Sequence, residues 1–141
     1  MTSEMPVVLV TGAGRGLGRA IASVFHDNGY HVVATDCSAG LLTHLDGEER
    51  FTTSVLDVSS DRAAEDVAAM IASDIGRLDV IVNNAGVNSF YPVCEAPTQL
   101  TVDAFQINTF GALRTVRACL GMLIESKGCV VNISSESTPL R

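Results

Sequence analysis

The sequence has 141 residues, 47% of them hydrophobic and 18% charged, with a formal net charge of −7. That composition suits one globular domain spanning residues 1–141 and excludes a disordered chain. The acidic balance argues against nucleic acid or an anionic membrane surface as the main partner, and no window approaches the roughly 18 apolar residues of a membrane span.

Residues 7–11, VVLVT, are a continuous β-branched run, as in a strand buried on both faces. The run is too short for the core of a secretion signal and leads straight into glycines, so no signal peptide is expected. Residues 16–28 then switch to helical spacing, with Leu17, Ile21, Val24 and Phe25 on one face. Asn28-Gly29 supplies the chemistry that ends such a helix. HVVATD (31–36) reads as a second strand and 38–46 as a short helix. RFTTSVLDV (50–58) is a third strand, followed by cap candidates Ser59, Ser60 and Asp61. The next helix should bury Ala64, Val67, Met70, Ile71 and Ile75. LDVIVNNAG (78–86) is a fourth strand, and 87–98 a loop holding Pro92 and Pro97. Residues 99–126 make one long helical segment, with Leu100, Phe105, Ile107, Leu113, Val116, Leu120 and Leu123 as its main apolar positions. CVVNI (129–133) is the fifth strand. Alternating strands and helices imply right-handed crossovers and a Rossmann-type, doubly wound parallel α/β sheet of five strands in the order 3-2-1-4-5.

Cys37, Cys94, Cys119 and Cys129 form no CxxC pair, and His26, His31 and His44 are not spaced near them as ligands. No metal site is expected, and free thiols fit a cytoplasmic setting.

The segment TGAGRGLG (11–18) lies between the first strand and the first helix. Glycine lets a phosphate approach the main chain, and a helix N-terminus adds N–H groups and partial positive charge. The spacing is TGxxxGxG, on Gly12, Gly16 and Gly18; the commoner GxGxxG would need a glycine at Leu17. Asp36 ends the second strand, where a carboxylate accepts from an adenosine ribose and repels a 2′-phosphate. That points to NAD over NADP, although Arg15 within the glycine turn would attract a 2′-phosphate. The plainer alternatives are a glycine turn without a ligand and an aspartate that caps the next turn.

With these motifs, LDV (56–58), NNAG (83–86), Asn108 and VNISS (131–135) in order, the chain resembles the short-chain dehydrogenase/reductase family over essentially its whole length. The resemblance implies that Gly12, Arg15, Gly16, Leu17 and Gly18 line a pyrophosphate turn. It implies that Asp57 and Val58 flank the adenine, with the Asp57 carboxylate near its exocyclic amine. Asn83, Asn84, Ala85 and Gly86 would hold strand four and pass beside the cofactor ribose; backbone bonding at a strand end is the plain role for both asparagines. Asn108 would support a proton-relaying water, where an unrelated mid-helix asparagine would be merely solvated. Ser135 would orient a substrate carbonyl or hydroxyl, with Ser134 as its neighbour; otherwise it is a turn residue.

The implied chemistry is hydride transfer between a nicotinamide and an alcohol or carbonyl carbon of a small molecule, in a homo-oligomeric enzyme. The family's acid/base pair is YxxxK, with its tyrosine about thirteen positions beyond the serine. Tyr30, Tyr91 and the only lysine, Lys127, lie elsewhere. The resemblance therefore implies an N-terminal portion of such an enzyme, inactive by itself, with strand five as an exposed apolar edge and Phe105, Phe110 and Leu113 uncovered. A non-catalytic dinucleotide-binding module and a functionless truncated product are the alternatives.

Overall fold

A computed structural model describes residues 5–88, 90–92 and 94–135. Positions 89 and 93 of the expected loop, and residues 136–141, lie outside the described residues. The elements run β1 (Val7–Thr11), α1 (Gly16–Asp27), β2 (His31–Asp36), β3 (Phe51–Val55), α2 (Asp61–Met70), β4 (Val80–Asn83), α3 (Thr98–Asn108), α4 (Phe110–Ser126) and β5 (Cys129–Asn132). All pairings are parallel, in the order β3-β2-β1-β4-β5. The sheet is the doubly wound arrangement that the alternating pattern predicts.

Every residue of β1 is buried. Val7 and Leu9 face the side packed by α2 and α4, with Ile71, Val67 and Leu123. Val8 and Val10 face the other side, with Ala22 and partly buried Ile21 and Phe25 of α1. Strand alternation thus feeds two cores from one apolar run. At the start of β1, the Val7 N–H donates to Asp79 Oδ2 (2.8 Å), and Arg77 clasps the same carboxylate through Nε and Nη2.

Several expected elements differ in detail. The stretch 38–46 holds two 3₁₀ turns, Ala39–Leu41 and Thr43–Leu45, rather than a helix. The long helical segment is two helices that break at Thr109. On α1, Gly18 and Ala22 are buried while Leu17 and Val24 are each 59% exposed. On α4, Gly111, Thr115, Cys119 and Leu123 face inward, one every four residues. The large apolar position Leu120 points outward. Small side chains win these faces because the backbones come close: a Cβ on Gly111 would lie 2.7 Å from Val58 Cγ2. Burial pushes the Cys119 thiol up to about 11, so it behaves as a small apolar filler.

Other expectations hold. Ser60 caps α2, its Oγ accepting from Ala63 N at 3.2 Å. Ala64, Val67 and Ile71 are buried as expected, with Met70 and Ile75 half-buried. Residues 71–75 continue α2 as a π-turn that ends at Gly76. All of β5 is exposed, as are Phe105, Phe110 and Leu113. Among the described residues, no helix is long and apolar enough to cross a membrane.

Candidate functional site

Chain connections leave β1 and β4 in opposite directions, so a crevice opens above their C-terminal ends. The β1–α1 turn forms its floor. Gly12 has φ +66° and sits so close to the next strand that a Cβ there would lie 3.0 Å from Ala85 Cα. Gly18, in the first turn of α1, packs against that turn. A Cβ there would lie 2.1 Å from Gly12 O and 2.4 Å from Asn84 Nδ2. The N-cap of α1 is Arg15, with no side-chain cap and no acidic residue in the first turn. The helix start therefore keeps its N–H groups and its partial positive charge for an anion.

Asn84 ties the floor to β4. Its backbone N–H donates to Thr11 Oγ1 (3.1 Å), and its Nδ2 donates to Thr11 O (3.0 Å) and Gly12 O (3.2 Å). Ala85 N also donates to Thr11 Oγ1. Asn83 Nδ2 donates to Asn132 Oδ1 across the β4–β5 pair at 2.8 Å. Asn84 thus does the backbone bonding expected at a strand end and also lines the crevice, whereas the Asn83 side chain bonds the Asn132 side chain instead of backbone.

Asp36, 8% exposed at the end of β2, closes one end. Its Oδ2 accepts from Gly14 N (3.0 Å) and its Oδ1 from Cys37 N (2.8 Å). The carboxylate is therefore held in place by the glycine turn and also caps its own turn. Burial and the neighbouring Asp36 carboxylate push the Cys37 thiol up. Asp57 is oriented by Ser59, whose N–H and hydroxyl both donate to Asp57 Oδ1 (2.9 and 2.6 Å).

One groove collects Gly12, Arg15, Gly16, Leu17, Gly18, Asp36, Asp57, Val58, Asn84, Ala85 and Gly86 of the residues expected to line a cofactor, while Asn83, expected beside the ribose, is not among its lining residues. Four further groove residues were missed: Cys37, Leu56, Val87 and Ile107. Each directly adjoins an expected site residue, so the motif ends were the available signal.

Asn108 lies at the end of α3, where its side chain pairs with the Val87 backbone. Its Oδ1 accepts from Val87 N (2.8 Å) and its Nδ2 donates to Val87 O (2.9 Å). Asn108 also lines a second cavity with Asn83, Thr109, Asn132 and Ser134. Val58, Ala85 and Ile107 line both spaces and separate them. Ser134 lines this cavity, whereas Ser135, expected to orient the substrate, is exposed and is not among the lining residues. Among the described residues, no tyrosine–lysine pair meets here. Tyr30 packs edge-on against Phe25, Tyr91 is exposed in the loop before α3, and Lys127 precedes β5 at the opposite end of the sheet.

Comparison with known proteins agrees with this geometry. The family model for short chain dehydrogenases matches residues 6–140. A short-chain dehydrogenase of Penicillium crustosum, PC-15, is 35% identical over 142 residues, covering 97% of this chain and 52% of that protein. The crystal structure of a short-chain dehydrogenase from Streptomyces avermitilis superposes with a TM-score of 0.87 at 37% identity, covering 94% of this chain and 50% of that one. An alcohol dehydrogenase from Thermococcus sibiricus, complexed with 5-hydroxy-NADP, superposes with a TM-score of 0.85 at 30% identity, covering 92% and 57%. The chain spans about half the length of the curated relatives it matches.

Proposed function

The chain belongs to the short chain dehydrogenase family, and on that premise we propose that its groove binds NAD(H) for hydride transfer between an alcohol and a carbonyl compound. The observation that carries this reading is the single groove joining the glycine turn, Asp36, Asp57–Val58 and Asn84–Gly86. The turn fits a pyrophosphate: uncapped N–H groups face it, and Gly12 and Gly18 leave no room for side chains between it and β4. The nicotinamide, when bound, would supply or accept the hydride.

The chain's own residues bind and orient. Asp36 would accept from the adenosine ribose hydroxyls, already held by Gly14 and Cys37 N–H groups. Asp57 would accept from the adenine amine. The Val87–Asn108 pair would set the wall on the nicotinamide side, and Ser135 would orient the substrate oxygen. A general acid/base is still needed to move the proton. Tyr30, Tyr91 and Lys127 are in the wrong places for it, so we propose that residues 1–141 alone bind cofactor without turning over substrate.

Fluorescence of NADH and NADPH, titrated with protein, tests the reading in a chain that has no tryptophan. NADH should bind at least about tenfold more tightly, because the Asp36 carboxylate would meet a 2′-phosphate as a like charge. Tighter NADPH binding would overturn the cofactor choice. A folded protein that binds neither would overturn the dinucleotide reading, and steady turnover by these 141 residues would overturn the binding-only proposal.

A further inference from the structure

Arg114 is used by nothing in that account, yet it is one of the most connected side chains in the molecule. It lies on α4, and its side chain is 14% exposed. Nη1 donates to the Gln106 carbonyl at 3.0 Å and Nη2 to Gln106 Oε1, so the guanidinium grips the last turn of α3. The same Nη1 reaches the Val58 carbonyl at 3.5 Å, and Nε lies 3.4 Å from Asp61 Oδ2. One planar fork thus spans the end of α3 and the β3–α2 turn. One turn earlier on α4, Gly111 is pressed against Val58 with no space for a methyl group. Both clasped segments border the groove, one through Val58 and Asp57, the other through Ile107.

We propose that Arg114 is a positioning residue that sets the adenine end of the groove, by holding the Asp57–Val58 turn at a fixed distance from the α3–α4 junction. The proposal rests on the dinucleotide reading above. Asp61 is an accessory partner only, since its side chain is 66% exposed and such ion pairs contribute little. The two carbonyls carry the effect, because a guanidinium satisfies several acceptors with one rigid group.

The test compares NAD with nicotinamide hypoxanthine dinucleotide, by calorimetric titration. Hypoxanthine puts a carbonyl where adenine has its amine, so Asp57 should favour NAD. Arg114→Met should lower that preference by about fivefold, the equivalent of one net hydrogen bond. Arg114→Lys, with one compact donor group, should lose part of it. Asp61→Asn should leave it at the wild-type level. The ratio of two ligands on one folded protein is insensitive to a general loss of stability. Wild-type preference in Arg114→Met overturns the positioning role. If Arg114→Met does not fold, wild-type preference in Arg114→Lys overturns it equally. If the folded wild-type protein binds neither dinucleotide, the dinucleotide reading fails, and this proposal with it.

Discussion

Replacing Gly18 with alanine tests the floor of the groove directly. The added Cβ would lie 2.1 Å from Gly12 O and 2.4 Å from Asn84 Nδ2, where 3.4 Å or more is ordinary contact. The amide of Asn84 cannot swing away without giving up its bonds to Thr11 O and Gly12 O. The backbone of α1 must therefore retreat from the turn by about 1 Å, and overpacking of this kind costs about 1–3 kcal/mol. In a chain of this size each kcal/mol lowers Tm by about 2–4 °C. The same retreat moves the helix-start N–H groups away from a bound pyrophosphate, so NADH should bind at least about tenfold more weakly. Gly121→Ala is the matched control. Gly121 lies within α4 with nothing within 4 Å of a Cβ. Alanine there should stabilise by about 0.5–1 kcal/mol and leave NADH binding unchanged. Thermal melts and NADH fluorescence on both variants read the two effects. Unchanged Tm and NADH affinity in Gly18→Ala would refute the close-approach argument.

Two further predictions concern pH. Burial alone would raise the Asp79 carboxyl, but Arg77 and the Val7 N–H outweigh it and hold it below the usual carboxylate range. Its contribution is therefore present at neutral pH and lost as pH falls through that lowered value. Asp79→Ala leaves the Val7 N–H of β1 buried without its acceptor, a cost of about 1–3 kcal/mol, whereas Asp79→Asn keeps an acceptor and should lose less. Urea unfolding should show the gap between wild type and Asp79→Ala closing toward pH 3; a gap independent of pH would count against this account. His31 is pushed below its ordinary value of 6.5 by burial, then by Arg50, and its Nε2 pairs with Thr52 Oγ1 at 2.8 Å. The unfolded chain thus takes up a proton first, and stability should fall as pH drops below about 6.5. His31→Gln should flatten that slope in melts between pH 7 and 5, and an unaltered slope would rule His31 out as its source.

The strands, the glycine turn and Asp36 were legible because their signals are local, and the remaining groove residues followed from the family resemblance. An unbroken β-branched run such as VVLVT specifies a strand covered on both faces, whatever covers it. A glycine turn between such a strand and a helix specifies an anion-accepting loop, and Asp36 at the next strand end follows from the alternation of strand and helix. Helix orientation was less legible. Hydrophobic periodicity puts Leu17 and Val24 of α1 on one apolar face and counts Leu120 among the main apolar positions of α4. The structure turns Gly18–Ala22 and Gly111–Thr115–Cys119 inward instead. How closely two backbones approach is a property of the pair, and a single helix's pattern does not contain it.

The same distinction separates the rest. The sequence by itself determined the order of elements and the parallel sheet, because each depends on neighbours in the chain, while Asp57, Val58 and Asn84–Gly86 entered through the family resemblance. Only the tertiary structure decided what those residues do to one another. Asn108 spends its amide on Val87, 21 residues away. Asp36 is held by Gly14 across 22 residues, and Arg114 reaches back 56 residues to Val58. Hydrogen bonds form between groups that folding brings within about 3 Å, and spacing along the chain carries no record of that distance.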